Sequence, residues 1–94
     1  MKQIIDGKLY DTEKADRVAS DEYFDGSNWD RSGRNKYLYK TKKGNFFIHY
    51  KTMWQGELDR LEDITEIEAR KYYEILPEHD MEYKEAFGEE PEEA

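Results

Sequence analysis

Two short aromatic runs joined by a glycine-containing loop constrain the fold of this chain more than any other feature of its sequence. The runs are Tyr37-Leu38-Tyr39 and Phe46-Phe47-Ile48, and Lys42-Lys43-Gly44 lies between them. A glycine at the end of a three-residue loop can adopt the positive φ angle that joins two antiparallel strands. We therefore predict a β-hairpin in which Thr41 pairs with Asn45.

This register divides the side chains of the hairpin between two faces, because successive residues of a strand point in opposite directions. Leu38 then lies opposite Ile48, and Tyr39 lies opposite Phe47. One face carries Leu38, Lys40, Phe46 and Ile48, and the other carries Tyr37, Tyr39, Phe47 and His49. The pattern leaves open which of the two faces is buried.

Weaker signals predict two elements before this hairpin. Asp6-Gly7 favours a type I′ turn, so we predict a tight hairpin over residues 3–10. Thr12 can then cap a short amphipathic helix that ends at Asp25-Gly26. The apolar residues at helical spacing in this segment are Ala15, Val18, Ala19 and Tyr23.

The second half of the chain contains helix signals. Thr65 and Glu68 have the spacing of a capping box, which predicts a helix that begins here and ends before Pro77. A further short helical segment is predicted from Asp80 to Phe87, with Gly88 beyond it.

The chain can fold in spite of its polarity because its core residues are large. Leu, Ile, Val and Phe together number only 16 of 94 residues, but 14 residues are aromatic and bury a large area each. We predict one α+β domain over residues 1–88, followed by an acidic disordered tail over residues 89–94. In this fold, a small antiparallel sheet from two β-hairpins has two or three short helices packed on one face.

No motif in the sequence points to catalysis. Cysteine is absent, and His49 and His79 belong to no ligand-spaced cluster. No serine lies in a nucleophile motif, and the glycines form no phosphate-binding loop. The chain has no long apolar run, and we expect no signal peptide because the segment at residues 1–6 is too short and too polar. We therefore expect a soluble intracellular protein that is not an enzyme and has no cofactor or metal.

The charge divides sharply along the chain. Residues 1–54 carry a net charge of +3 and residues 55–94 a net charge of −11. The basic hairpin 36–50 suggests nucleic-acid binding, with lysines on phosphates and aromatic rings on bases. The residues of this hypothesis are Lys36, Lys40, Lys42, Lys43, Tyr39 and Phe47. Alternatively, an exposed aromatic face of this hairpin would lie in the subunit interface of an oligomerising structural protein.

The acidic second part suggests a different function. Carboxylates that project from helices can imitate the phosphates of a duplex and occupy a cationic nucleic-acid channel. The predicted partner-binding residues are Glu62, Asp63, Glu66, Glu68, Glu74 and Glu78, with Trp54 as an apolar anchor.

Three stretches of the chain form a recognisable series, namely residues 7–15 (GKLYDTEKA), 38–47 (LYKTKKGNFF) and 64–69 (ITEIEA). In this order they resemble a family of small, largely uncharacterised proteins of Firmicutes phages and integrative elements. Small acidic proteins of such elements include anti-CRISPR proteins, and this sequence is similar to that class. The resemblance implies an inhibitor in the cytoplasm of a bacterial host cell. Its partner would be a CRISPR effector protein or ribonucleoprotein, which it would bind stoichiometrically to block nucleic-acid binding or cleavage.

Overall fold

The structure is a computed structural model that describes residues 1–21, 34–52 and 55–94. It confirms the predicted α+β class, with antiparallel strand pairing and two helices in these ranges. The elements are β1 (Lys2–Ile5), β2 (Lys8–Asp11), β3 (Asp16–Ser20), β4 (Arg34–Lys40), β5 (Phe46–Thr52), β6 (Arg60–Ile64), α1 (Glu66–Ile75), β7 (Glu78–His79) and α2 (Tyr83–Phe87).

The strands form two sheets. Strands β1 and β2 make a two-stranded sheet, and the larger sheet has five strands in the order β6-β5-β4-β3-β7. The central pair, β4 and β5, has the predicted register, with Leu38 opposite Ile48 and Tyr39 opposite Phe47. The Thr41 N–H donates to the Asn45 carbonyl over 2.7 Å, and Gly44 has a φ of 89°.

The predicted helix after Thr12 is wrong, because residues 16–20 form the strand β3. The register against β4 shifts between Arg17 and Ala19, which makes Val18 an extra residue of a β-bulge. Val18 and Ala19 are both fully buried although they are adjacent. Their spacing from Ala15 imitates a helical period, whereas pairing with β4 and β7 supplies the actual backbone hydrogen bonds. Residues 22–26 of this prediction lie outside the described ranges.

Both C-terminal helices lie on one face of the five-stranded sheet. The capping box of α1 is present, since Thr65 accepts a hydrogen bond from the Glu68 N–H and Glu68 accepts one from the Thr65 N–H. The second helix begins at Tyr83 rather than Asp80 and ends at Phe87, as predicted, with Gly88 as its C-cap at a φ of 81°. The core beneath the helices consists of Val18, Ala19, Leu38, Phe46, Ile48, Ala69, Tyr73, Leu76, Ala86 and Phe87.

The opposite face of the sheet is covered in part by the β1–β2 hairpin. Tyr10, Phe47 and Leu61 form a second buried cluster there, joined by Tyr39. The predicted turn is present, with φ angles of 52° at Asp6 and 74° at Gly7. The hairpin is also tied to β6, because the Leu61 N–H donates to the Gln3 side chain over 3.0 Å. Both faces of the central hairpin therefore contribute to a core.

The predicted tail at residues 89–94 is exposed along its length. Its first residue, Glu89, nevertheless makes an ion pair of 2.8 Å with Arg70 of α1. The disorder of this segment stays a prediction. Neither helix within the described ranges has the length and apolar character of a membrane span.

Candidate functional site

The six acidic residues predicted to bind a partner are divided among several structural settings. Glu68 is used in the capping box of α1. Glu66, one helical turn before Arg70, pairs with it at 2.6 Å. These two carboxylates therefore stabilise the helix itself, Glu68 through the cap and Glu66 through its ion pair with Arg70.

Glu62 and Asp63 project to opposite faces of β6, as neighbouring residues of a strand do. Glu62 accepts a hydrogen bond of 2.9 Å from Arg60 and one of 3.4 Å from the Tyr50 hydroxyl. Burial and the hydrogen bond with the Tyr72 hydroxyl raise the pKa of Tyr50 well above its usual value. Asp63 lies on the other face, where it adds to the effect of burial in raising the pKa of Tyr10.

Four of the predicted acidic residues, Asp63, Glu68, Glu74 and Glu78, are exposed and have no ion pair within the described part of the chain, and of these Glu68 is used in the capping box. Glu74 lies on the solvent side of α1 together with Ile67 and Ile75, each of which is 69% exposed. Lys71 lies between the two isoleucines on the same side of the helix. We call Ile67, Lys71, Glu74 and Ile75 of α1, together with Glu78 of β7, which follows three residues later in the chain, the α1 surface. It combines exposed apolar side chains with one lysine and two carboxylates that form no ion pair with a described residue.

Arg70 was not singled out in the sequence, although it organises the C-terminal region. Its guanidinium pairs with Glu66 and Glu89 and donates a hydrogen bond of 3.0 Å to the Tyr83 hydroxyl. The hydrogen bonds with Glu66 and Glu89 raise the pKa of Arg70 further above its already high usual value. The i,i+4 spacing from Glu66 was a visible signal, whereas the contacts with Tyr83 and Glu89 depend on the tertiary fold.

Of the two predicted stacking residues of the basic hairpin, Tyr39 is half-buried and Phe47 is not available as a platform for bases. Phe47 is fully buried. Its ring stacks on Tyr39 with a centroid distance of 5.1 Å and meets Tyr10 edge-on at 5.3 Å. Phe47 therefore has no free face for a base. The β1–β2 hairpin also covers part of the aromatic face of β4 and β5, the face that the oligomer hypothesis places in a subunit interface.

The lysines of this hairpin differ in their surroundings. Lys42 pairs with Asp16 at 3.0 Å, and the Lys40 amino group lies 5.9 Å from the centre of the Phe46 ring. Lys36 and Lys43 are exposed. The turn that carries Lys42 and Lys43 lies beside the β1–β2 turn, and the two turns enclose a groove of about 510 Å³. Because Lys8 and Lys14 also line it, we call it the lysine groove.

Both histidines are held by nearby groups. His49 Nε2 lies 3.1 Å from Asp59 Oδ2, and His79 Nε2 donates a hydrogen bond of 2.8 Å to the Tyr73 carbonyl. Burial tends to raise the pKa of Asp59, but hydrogen bonds from the Thr52 N–H and His49 outweigh it and hold this pKa below its usual value. No group of three His, Asp or Glu side chains in the described ranges is arranged to hold a metal ion.

The predicted apolar anchor Trp54 lies outside the described residues.

The α1 surface and the lysine groove lie on opposite sides of the five-stranded sheet, because the helices cover one face and the β1–β2 hairpin covers part of the other. Comparisons of the chain with protein-family models, with curated proteins and with solved structures found no match.

Proposed function

We propose that this protein is a stoichiometric inhibitor that binds a CRISPR effector complex through the α1 surface and blocks nucleic-acid binding or cleavage. The observation that carries the proposal is the exposure of Glu74 and Glu78, neither of which forms an ion pair with a described residue, beside exposed apolar side chains. The choice of a CRISPR effector as partner rests on the resemblance to proteins of mobile elements.

The distribution of charge supports a cationic partner. Residues 55–94 hold four Lys and Arg side chains against 15 Asp and Glu side chains. Of the four cations, Arg60, Arg70 and Lys84 are already paired with carboxylates of the same chain. The remaining negative charge would steer this region toward channels that CRISPR effectors line with Arg and Lys to hold nucleic acid.

The exposed isoleucines suggest how such a contact gains affinity. Ile67 and Ile75 are two turns apart on α1, which places them about 12 Å apart along the helix axis. Protein interfaces combine an apolar centre with a polar rim, whereas a nucleic-acid duplex has no apolar stripe on its phosphate surface. The α1 surface therefore suits a protein wall beside a cationic channel, with the carboxylates competing for the cations of the channel.

A reconstituted cleavage assay tests the proposal. The purified chain is titrated into CRISPR effector complexes of several subtypes, and target DNA cleavage and co-migration in gel filtration are measured. We expect inhibition that saturates near one chain per effector with a susceptible subtype. Glu74→Lys should weaken inhibition at least about tenfold, as expected for the loss of a charge pair at a buried interface. Full cleavage by every effector at excess wild-type chain would overturn the proposal.

Two further variants make the assay specific. Glu13→Lys makes the same change of charge on an exposed side chain between β2 and β3, so it should retain inhibition. Ile67→Ala removes an apolar contact of the α1 surface and should weaken inhibition while the chain stays folded. Equal losses with Glu74→Lys and Glu13→Lys would show that net charge alone matters and would argue against a defined α1 interface.

A further inference from the structure

The lysine groove joins parts of the chain that are distant in sequence. Gly7 to Asp11 of the first hairpin form one wall, and Thr41 to Asn45 at the tip of the central hairpin form the other. Lys8 and Lys14 come from the first part, and Lys42 and Lys43 come from the second. Four of the described residues that line this groove of about 510 Å³ are therefore lysines.

Most of this positive charge is uncompensated. Lys8, Lys14 and Lys43 are exposed and make no ion pair with another described residue. Lys42 pairs with Asp16 at 3.0 Å, through a carboxylate that does not line the groove. The one acidic residue among the lining residues, Asp11, is only 7% exposed, and its Oδ1 accepts a hydrogen bond from the Glu13 N–H. Asp6 and Glu13 lie at the neighbouring turns.

The chemistry of the lining favours phosphate groups. Lysine ammonium groups act as mobile point charges that suit an extended row of phosphates. Base stacking is not offered here, because Tyr10 is 5% exposed and the Phe47 ring behind it is fully buried. Tyr10 also meets Phe47 edge-on, which commits its ring to the core.

We propose that the lysine groove binds the phosphodiester backbone of nucleic acid, independently of base sequence. This site goes beyond the function proposed above, because it lies on the side of the sheet opposite α1 and needs no effector protein. The net charge of −8 opposes the approach of nucleic acid, and most of that charge belongs to residues 55–94. We therefore expect weak binding that is steeply dependent on salt.

Fluorescence anisotropy with the isolated full chain tests this site. The probes are a labelled duplex DNA and a labelled single strand, measured over a series of salt concentrations. The test variant is Lys8→Gln, Lys14→Gln and Lys43→Gln combined. Its matched control is Lys2→Gln, Lys51→Gln and Lys84→Gln combined, which removes the same charge from exposed lysines away from the groove.

We expect the wild-type chain to bind at low salt and the control variant to bind with similar affinity. The groove variant should lose at least about tenfold in affinity, and the slope of log K against log salt should fall by about 3, or about one per lost phosphate contact. Equal losses in both variants would overturn the proposal, as would an absence of binding at low salt. Binding that persists unchanged in the groove variant would also overturn it.

An acidic surface of a second copy of this chain also has the charge to occupy the groove. Analytical ultracentrifugation of the chain alone distinguishes this occupant from nucleic acid. Self-association at low salt that disappears in the groove variant would assign the groove to an interface between copies and overturn the proposal. A monomer that binds the probes supports it. A failure of the effector assay leaves this result unaffected, because neither experiment uses components of the other.

Discussion

At the scale of single residues, Phe47 is a large, fully buried side chain in the strand that supplies both cores of the domain. Its side chain is fully buried under the β1–β2 hairpin, between Tyr39 and Tyr10. Its neighbours in β5, Phe46 and Ile48, point to the other face and pack beneath the helices. A single strand therefore supplies both cores, and loss of one ring should be felt by the whole domain.

We expect Phe47→Ala to lower the free energy of unfolding by about 3–5 kcal/mol, because the buried ring is lost and a cavity remains. Urea denaturation followed by circular dichroism measures this change. Ile4→Ala is the matched control, since Ile4 is 72% exposed on β1, and it should change stability by at most about 0.5 kcal/mol. A loss below about 1 kcal/mol for Phe47→Ala would show that the hairpin does not pack as described.

At the scale of elements, the N-terminus of α1 contains a stabilising feature and a destabilising one within a single turn. Thr65 and Glu68 satisfy each other's backbone N–H groups. Ile67, between them, is β-branched and 69% exposed, so it adds little packing and lowers helix propensity. An exposed isoleucine at this position has a cost in stability, which fits a role in binding rather than in folding.

Thr65→Ala should lower the free energy of unfolding by about 1 kcal/mol, because the Glu68 N–H loses its side-chain acceptor. Ile67→Ala should instead raise it by a few tenths, or about 0.4 kcal/mol, through better helix propensity. Parallel urea denaturation of the two variants measures both changes. If both variants destabilise the chain to the same extent, Ile67 contributes packing that its exposure does not indicate.

At the scale of the whole molecule, the charged side chains are distributed unevenly along the chain. It carries 23 acidic and 15 basic side chains, and residues 55–94 alone have a net charge of −11. Ion pairs such as Arg70 with Glu66 and Glu89 reduce the repulsion locally. The remaining carboxylates repel one another in the folded state, which is the expected origin of both long-range steering and lower stability.

We expect the melting temperature to rise when salt is increased from low to physiological concentration, because the Debye length falls from about 30 Å to about 8 Å and repulsion is screened. Differential scanning calorimetry measures this shift. Glu92→Gln with Glu93→Gln removes two exposed charges of the acidic region and should reduce the salt effect. A melting temperature that falls with salt would mean that the ion pairs of Arg70 outweigh the repulsion.

The features that the sequence determined by itself are those that depend on residues close to one another in the chain. The Asp6-Gly7 turn, the register of β4 with β5 and the capping box of α1 follow from local backbone preferences and short loops. The sequence signal for strand β3, which lies between β4 and β7 in the sheet, was weaker. The spacing of Ala15, Val18 and Ala19 imitates a helix, and only pairing with β4 and β7 makes this segment β3.

The tertiary structure decided which predicted groups remain available for binding. It buried Phe47, compensated Glu66 through Arg70 and left Glu74 exposed. It also placed Lys8 and Lys43 on one groove, although they are 35 positions apart in the sequence. Charge and residue type are properties of the sequence. Exposure and proximity depend on how distant segments pack, because desolvation and ion pairing arise only when those segments meet.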